Sequence, residues 1–312
     1  MKVLFVLSGN KDKSSGLVVN QARSIMRYNN SIDIGYYHVK GKGIKGYLKN
    51  IRPLRAKIRE YDPQIIHAHY SFCGFLSALT LTRKPIITSL MGSDLHLKTH
   101  WRFMLFVASA FWRSVIVKSS AMKKKYLLSR TCIIPNGVSF DKYEEVSRQN
   151  ARKALGLLPD KKYVLFLADP ERPEKNFRLT KQAFDRLNFP DAELLVVHDV
   201  PHETTRLYYY ATDILVLSSL YEGSPNVIKE AMVCNCVIVS TEVGDVGTLF
   251  EGVDGNYIAA PDTSDFSDKM KQALLFSEEK GRTRGRDKIR ALRIDADSIA
   301  EKIVELYHTV IN

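Results

Sequence analysis

The sequence predicts an α/β protein of two Rossmann-like domains, each built on a doubly wound parallel sheet, facing each other across a ligand-binding cleft. Three observations carry this. Short apolar runs alternate with stretches of helical periodicity from one end of the chain to the other. The runs are continuously apolar, as strands covered on both faces are. At 312 residues the chain is long for one core, and two domains of about 150 residues are its natural division.

The elements follow in order. Val3–Leu7 is a first buried strand, too short and too soon interrupted by Ser8-Gly9-Asn10 for a signal peptide. Helical spacing from Val18 to Met26 leads to strand Ile34–Tyr37. A helix-like stretch with Ile51, Leu54 and Ile58 on one face leads to strand Ile65–Ala68. Strands Ile86–Ser89, Val115–Val117 and Cys132–Ile134 complete the first half. The turn-forming Pro135-Asn136-Gly137-Val138 marks a boundary, giving an N-terminal domain over 1–138. Beyond it, helix-like content runs from Tyr143 to Leu155. Strands Tyr163–Leu167, Glu193–Val197, Ile214–Leu217, Val237–Ser240 and Tyr257–Ile258 then build a second domain over 139–297. From Ser298, Ile299, Ile303, Leu306 and Val310 recur at helical spacing up to Ile311.

Charge divides unevenly between the halves. Residues 1–140 hold 23 Lys and Arg against 5 Asp and Glu, a balance of +18, whereas residues 141–312 hold 23 against 29, a balance of −6. The basic half is expected to meet something anionic. Lys40, Lys42, Lys45, Lys49, Arg52, Arg55, Lys57 and Arg59 form one basic cluster, and Lys118 with Lys123-Lys124-Lys125 a second. Interleaved with apolar residues, they suit peripheral contact with an anionic membrane. Aromatics do not interleave as a base-stacking platform requires, so no nucleic acid partner is expected. No apolar run approaches the roughly 18 residues of a spanning helix. The four cysteines have no metal-ligand spacing and read as reduced thiols, pointing to the cytoplasm, at the inner face of the cell membrane.

The most informative stretch is Tyr221-Glu222-Gly223-Ser224-Pro225-Asn226-Val227-Ile228-Lys229-Glu230-Ala231-Met232. It follows the strand Ile214–Leu217. Ser224 is a good N-cap and Pro225 suits the first helical position, so a helix is expected to start here. Its first amides, those of Asn226 and Val227, would face the space beyond the strand, where a helix N-terminus favours a phosphate. Glu222 in the loop and Glu230 two turns into the helix can each accept hydrogen bonds from vicinal hydroxyls. Phosphate held by backbone and hydroxyls held by Glu describe a nucleotide sugar. A second cluster, Asp169-Pro170-Glu171-Arg172-Pro173-Glu174-Lys175-Asn176, follows the strand Tyr163–Leu167. There Arg172 and Lys175 could neutralise a diphosphate and the charge developing on a leaving group.

In this setting EGSPNVIKEAM resembles the donor-site signature of the family 4 retaining glycosyltransferases, the group 1 enzymes of bacterial polysaccharide type, and Arg172 with Glu174-Lys175 resembles that family's Arg…Glu-Lys-Gly motif, with Asn176 where Gly is usual. The resemblance extends over nearly the whole chain and implies the GT-B fold. It also implies a C-terminal helix, 298–312, crossing back to the first domain, and a site assembled by domain closure. It implies transfer of a sugar, with retention, from a UDP- or GDP-sugar to a hydroxyl of a glycan or lipid-linked glycan. On this reading Glu222 binds the sugar hydroxyls and Glu230 the ribose. Arg172, Lys175 and the amides of Asn226 and Val227 hold the diphosphate, and Gly223, Ser224 and Pro225 belong to the donor-binding segment. No cofactor and no metal is expected, because cations and helix N-terminus answer the diphosphate charge.

Other motifs are placed by the same resemblance. Gly16, after Ser14-Ser15, matches the loop that carries glycines near the donor phosphate. Ser240 to Gly247 matches a Gly-rich turn permitting close backbone approach. His67-Ala68-His69 ends a strand, with His67 packed in the core and His69 nearest the cleft as an acceptor contact. Leu90-Met91-Gly92-Ser93-Asp94-Leu95-His96 resembles the family's HGSD stretch, with Met91 where a His is usual. Ser93 and His96 become candidate acceptor contacts, and Asp94 either orients or deprotonates the acceptor hydroxyl or caps a helix. A GT-B nucleotide-sugar 2-epimerase is the alternative, disfavoured because no cluster of acidic bases adjoins the donor motif. A basic nucleic-acid-binding protein is a further one.

Overall fold

Eleven apolar runs become the strands of two all-parallel sheets among the described residues, which in the computed structural model are 1–9, 16–41, 43–92, 94, 106, 109–126 and 130–311. Two compact units result: Met1–Gly137 with Ala296–Asn312 in one, Val138–Asp295 in the other.

The first unit runs β1 (Lys2–Ser8), α1 (Gly16–Tyr28), β2 (Asp33–Val39), α2 (Gly43–Leu48), α3 (Ile51–Tyr61), β3 (Ile65–His69), α4 (Ser71–Leu79), β4 (Ile86–Ser89), β5 (Ser114–Val117), α5 (Ser120–Tyr126) and β6 (Thr131–Ile133). Its strand order is β2-β1-β3-β4-β5-β6. Val3 to Leu7 are buried without alternation, as a central parallel strand requires. Leu4, Val6, Ile66, Leu54 and Trp112 meet in one core, so the apolar face expected of Ile51, Leu54 and Ile58 is turned inward. Lys118, expected in a basic surface cluster, is buried, and its Nζ donates to the Ile134 carbonyl at 3.4 Å.

The second unit begins with a 3₁₀ turn, Phe140–Tyr143, then α6 (Arg148–Leu155), β7 (Lys162–Leu167), a 3₁₀ turn Pro173–Lys175, α7 (Phe177–Leu187), β8 (Ala192–Val197), α8 (His202–Ala211) and β9 (Ile214–Leu217). It continues with α9 (Asn226–Val233), β10 (Val237–Thr241), α10 (Val246–Phe250), β11 (Asn256–Ala259), α11 (Thr263–Lys280) and α12 (Gly285–Ala291), and its strand order is β11-β10-β9-β7-β8. The helix expected from Tyr143 starts only at Arg148. The Tyr143 carbonyl is taken instead by the Tyr210 hydroxyl at 2.9 Å and the Arg286 guanidinium at 2.5 Å, which leaves it out of a helical ladder.

Both sheets share one order: the second strand lies outside the first, and the third returns to the first strand's other side. Such a doubly wound sheet has a switch point, here between β1 and β3 and between β7 and β9, and ligands gather at the strands' carboxyl ends there.

The last helix, α13 (Ala296–Ile311), packs in the first unit. Its buried Tyr307 hydroxyl lies 2.7 Å from His67 Nδ1, while His67 Nε2 meets Ser89 Oγ at 2.8 Å. Burial holds His67 down at about 3, so the ring is neutral and bonded on both sides, the packed core residue expected of it.

The second unit is pinned from below by Asp213, 2% exposed at the entry to β9. It takes Arg152 at 2.8 Å, Arg148 at 3.1 Å and the Tyr163 amide at 2.7 Å. Removing one partner of a buried ion pair strands the others. Asp213→Ala is therefore expected to lower the protection of the β7 and β9 amides in native-state hydrogen exchange by about 3 kcal/mol. A change within roughly 0.5 kcal/mol, the ordinary value for a surface substitution, would show that the pair carries no such weight.

Candidate functional site

At the β7/β9 switch point the two strand ends are stitched together. The Leu220 amide donates to the Glu174 carbonyl at 2.9 Å, and Ser218 Oγ donates to the carbonyls of Lys175 and Asn176, each at 3.0 Å. Asn176 has φ +50°, in the left-handed region that favours glycine and that Asn tolerates best among other residues. The same backbone shape is thus reached without the glycine usual in the motif.

This stitching brings Lys175 to Glu222. Nζ lies 2.5 Å from Oε1, with both side chains mostly buried, and Ser219 Oγ donates to the same oxygen at 2.9 Å. Arg172 is not brought to the pair. Its guanidinium is half exposed and bonds Glu174 at 2.9 and 2.5 Å. The two cations expected to act together are therefore each answered by a carboxylate.

Beyond Glu222, the chain passes buried Gly223, Ser224 and Pro225 into α9. Pro225, and not Ser224, occupies the N-cap position, and the helix begins at Asn226. Ser224 does not cap because its hydroxyl donates to Asp245 Oδ2 at 2.7 Å and accepts from Lys229 Nζ at 3.0 Å. Asn226 and Val227 form the first turn, half-buried, directly past the loop that carries Glu222. Glu230, one turn on, receives the buried Tyr209 hydroxyl at 2.8 Å. The turn after β10 lies against this segment. Gly244 has φ +63°, and a Cβ there would stand 3.0 Å from the Gly223 carbonyl oxygen, so the close approach expected of this glycine is real.

In the first unit, His69 closes β3 and stacks on His67 with centroids 4.3 Å apart, both rings on one side of the strand against Phe5. His69 is 3% exposed, yet neither ring nitrogen has a hydrogen-bond partner among the described residues. Burial keeps it neutral. Tyr70, next in the chain, is held at φ +90°, a strained value for a non-glycine residue and a feature of functional sites. Asp94 is fully buried and accepts the Met91 amide at 2.5 Å and the Ser71 amide at 3.3 Å. Ser71 opens α4, so Asp94 caps a helix earlier in the chain. One amide on each oxygen fixes the carboxyl group's orientation. Gly16 opens α1, and among the described residues nothing lies within 4 Å of where a Cβ would stand. Ser93 and His96 lie outside the described residues.

Ser219, Tyr209 and Tyr70 join these sites without a sequence signal, because their roles follow from strand order and backbone shape. Lys229 had a signal: a lysine among Ile228, Ala231 and Met232 on a buried helix face. Among the described residues no three His, Cys, Asp or Glu gather as a metal would need. The triplet Asp295-Ala296-Asp297 lies at the start of α13, where Asp297 pairs with Arg27. A cavity of about 390 Å³ lined by Arg148, Arg152, Lys162 and Asp213 sits at the amino ends of β7 and β9, away from the switch point, with its arginines already paired.

Comparison with known proteins identifies the family and the fold. Residues 12–142 match the sequence family Glycosyltransferase Family 4, and residues 192–275 match Glycosyl transferases group 1, more than half the chain between them. TuaC of Bacillus subtilis, a glycosyltransferase named for teichuronic acid biosynthesis, is 25% identical over 245 residues, 67% of this chain; the chain spans 63% of that relative's length. The fold is that of sucrose-phosphate synthase from Thermosynechococcus elongatus (TM-score 0.83, 15% identity, 99% of each chain). It is also that of Anabaena HepE, solved with UDP (TM-score 0.80, 17% identity, 99% of this chain and 100% of that one). The fold is GT-B, as the sequence leads one to expect. Among the described residues no helix is long and apolar enough to cross a membrane.

Burial pushes the Asp94 carboxyl up from an ordinary 3.8 to about 6. Between those values the folded chain holds a proton that the unfolded chain has lost. The contribution to stability is full below pH 3.8, falls as pH rises through about 6, and is level above it. The fall amounts to about 3 kcal/mol. Asp94→Asn cannot ionise and is expected to remove it, seen as a flatter unfolding profile from about pH 4 to about pH 7. A variant with the wild-type slope would assign that slope to other groups.

Proposed function

We propose that this chain, which belongs to the group 1 glycosyltransferases of family 4, moves a sugar with retention from a UDP- or GDP-sugar to a hydroxyl of a glycan or lipid-linked glycan. The single observation that carries the donor reading is Glu222 held by Lys175 and Ser219 at the β7/β9 switch point, directly ahead of the first turn of α9. A carboxylate fixed in this way is oriented before any ligand arrives and accepts hydrogen bonds from vicinal sugar hydroxyls. Lys175 has three N–H donors and gives one to Glu222, which leaves it able to meet a diphosphate oxygen. Arg172 adds charge from the same loop, and the first turn of α9 offers its amide dipoles to the phosphate. Together these groups stabilise the negative charge that gathers on the leaving diphosphate, so the reaction needs no metal ion. Glu230, with one oxygen fixed by Tyr209, takes the ribose hydroxyls.

HepE, solved with UDP and with UDP-glucose, supports a uridine donor, and the name of TuaC supports a cell-surface polysaccharide as the product. On the acceptor side His69 is the favoured contact. A buried imidazole whose two nitrogens have no partner among the described residues gains a hydrogen bond when a hydroxyl reaches it. A release-only epimerase is less well supported: among the acids near the donor motif, Glu222, Glu230 and Asp245 are each engaged by a donor group.

Glu222→Ala is expected to lower transfer about a hundredfold. Affinity for the free nucleoside diphosphate should be unchanged or raised, since Lys175 is released. An equal loss in both would sink the sugar-hydroxyl assignment.

The same enzyme is proposed to work at an anionic bilayer surface. Ile44 and Leu48 of α2 are 60% and 46% exposed, beside exposed Lys45, Lys49 and Arg52. Each cation near such a surface contributes about 1 kcal/mol. The triple variant K45E/K49E/R52E should therefore lose co-sedimentation with phosphatidylserine vesicles tenfold or more. Equal binding by the variant, or equal binding to phosphatidylcholine, would remove the membrane from the proposal.

A further inference from the structure

Lys229 lies on the inner face of α9 and is 1% exposed. Burying an ammonium is costly, and an apolar side chain of the same length would pack there without that cost. Its neighbours account for it. Nζ donates to Ser224 Oγ at 3.0 Å, and Ser224 donates in turn to Asp245 Oδ2 at 2.7 Å. Asp245 stands at the N-cap position of α10 but its side chain does not cap that helix. Its other oxygen, Oδ1, is buried without a hydrogen-bond partner among the described residues. The carboxylate's charge is therefore met through Ser224 and by Lys229. Burial pushes the Asp245 carboxyl up while Lys229 draws it back, and burial lowers Lys229 to about 8 while Asp245 and Glu230 draw it up. Each group keeps the other ionised.

The placement of this chain of contacts matters. Ser224 belongs to the turn that leads from Glu222 into α9, and Asp245 belongs to the turn after β10 that lies against it at Gly244. A carboxylate at this point, left uncompensated, would oppose an anion at the first turn of α9 and compete for its positive end.

We propose that Lys229 is a positioning residue for the donor site: it cancels the charge of Asp245 beside the first turn of α9 and, through Ser224, locks together the two turns that border it. This rests on the reading of that turn as the diphosphate site. It assigns a role to a lysine buried on the inner face of α9.

The test compares wild type with K229M, D245N and K229M/D245N. Affinity for UDP and for GDP is measured by titration calorimetry, and amide exchange of residues 223–227 is measured without ligand. K229M leaves Asp245 uncompensated and is expected to bind the diphosphate at least tenfold more weakly, with faster exchange at 223–227. D245N alone should stay within threefold of wild type. The double variant, which removes the lone charge, should also recover to within threefold, a non-additive result that lost packing would not produce. A double variant as weak as K229M, or K229M with wild-type affinity and exchange, overturns the proposal. Where K229M does not fold, the proposal requires the double variant to fold, and its failure to do so overturns it. Should wild type bind neither diphosphate, the donor reading falls and the exchange data decide the lock alone: faster exchange at 223–227 in K229M upholds it, and wild-type exchange there overturns it.

Discussion

The order of the parallel strands decides where each unit of this protein opens to a ligand. In each unit the chain winds outward from its first strand to the second and then crosses to the first strand's other side. Helices that follow neighbouring strands at that point lie on opposite faces of the sheet, and the loops entering them diverge. The opening is left at the carboxyl ends of β7 and β9 in one unit and of β1 and β3 in the other. Lys175 and Glu222 meet because their loops leave the two strands on either side of the opening, and His69 and Tyr70 occupy the matching place in the first sheet.

Charge at the second opening is held in pairs. Glu222 is answered by Lys175, Glu174 by Arg172, and Asp245 through Ser224 by Lys229, while Glu230 receives a tyrosine hydroxyl. Side chains oriented in this way reorganise little when a charged ligand arrives, and a preorganised polar site is what stabilises charge developing during a reaction. The glycine at 244 and the asparagine at 176 serve the same end through the backbone, each in the left-handed region at a point where two loops must touch.

The strands are legible in the sequence because burial on both faces leaves unbroken apolar runs, and Ile86–Ser89 and Ile214–Leu217 can be read to the residue. The order of those strands leaves no local trace. Contacts that depend on order or on distant partners are therefore hidden. Ser224 has the composition of an N-cap, but its hydroxyl goes to Asp245, 21 residues away. Asp94 accepts the Ser71 amide at the start of α4, 23 residues before it in the chain. The apparent helix from Tyr143 has the right residues but loses its first turn to side chains from α8 and α12. In each case a tertiary partner overrides a local preference that is worth only about 1 kcal/mol. Lys118 misleads for a related reason: sequence records its charge, and only the fold records that its ammonium is buried.

The first unit is discontinuous in sequence, closed by α13 after the whole second unit has been traversed. Synthesis is vectorial, at about 5–20 residues per second, so the sheet of the first unit emerges roughly 10–30 s before the helix that completes it. For that interval His67 lacks the Tyr307 hydroxyl, and the face of α1 that α13 covers stands open. The second unit, uninterrupted in sequence, can close first. The order of folding is thus expected to invert the order of synthesis, and the half of the protein made earliest is the half that depends longest on protection from aggregation.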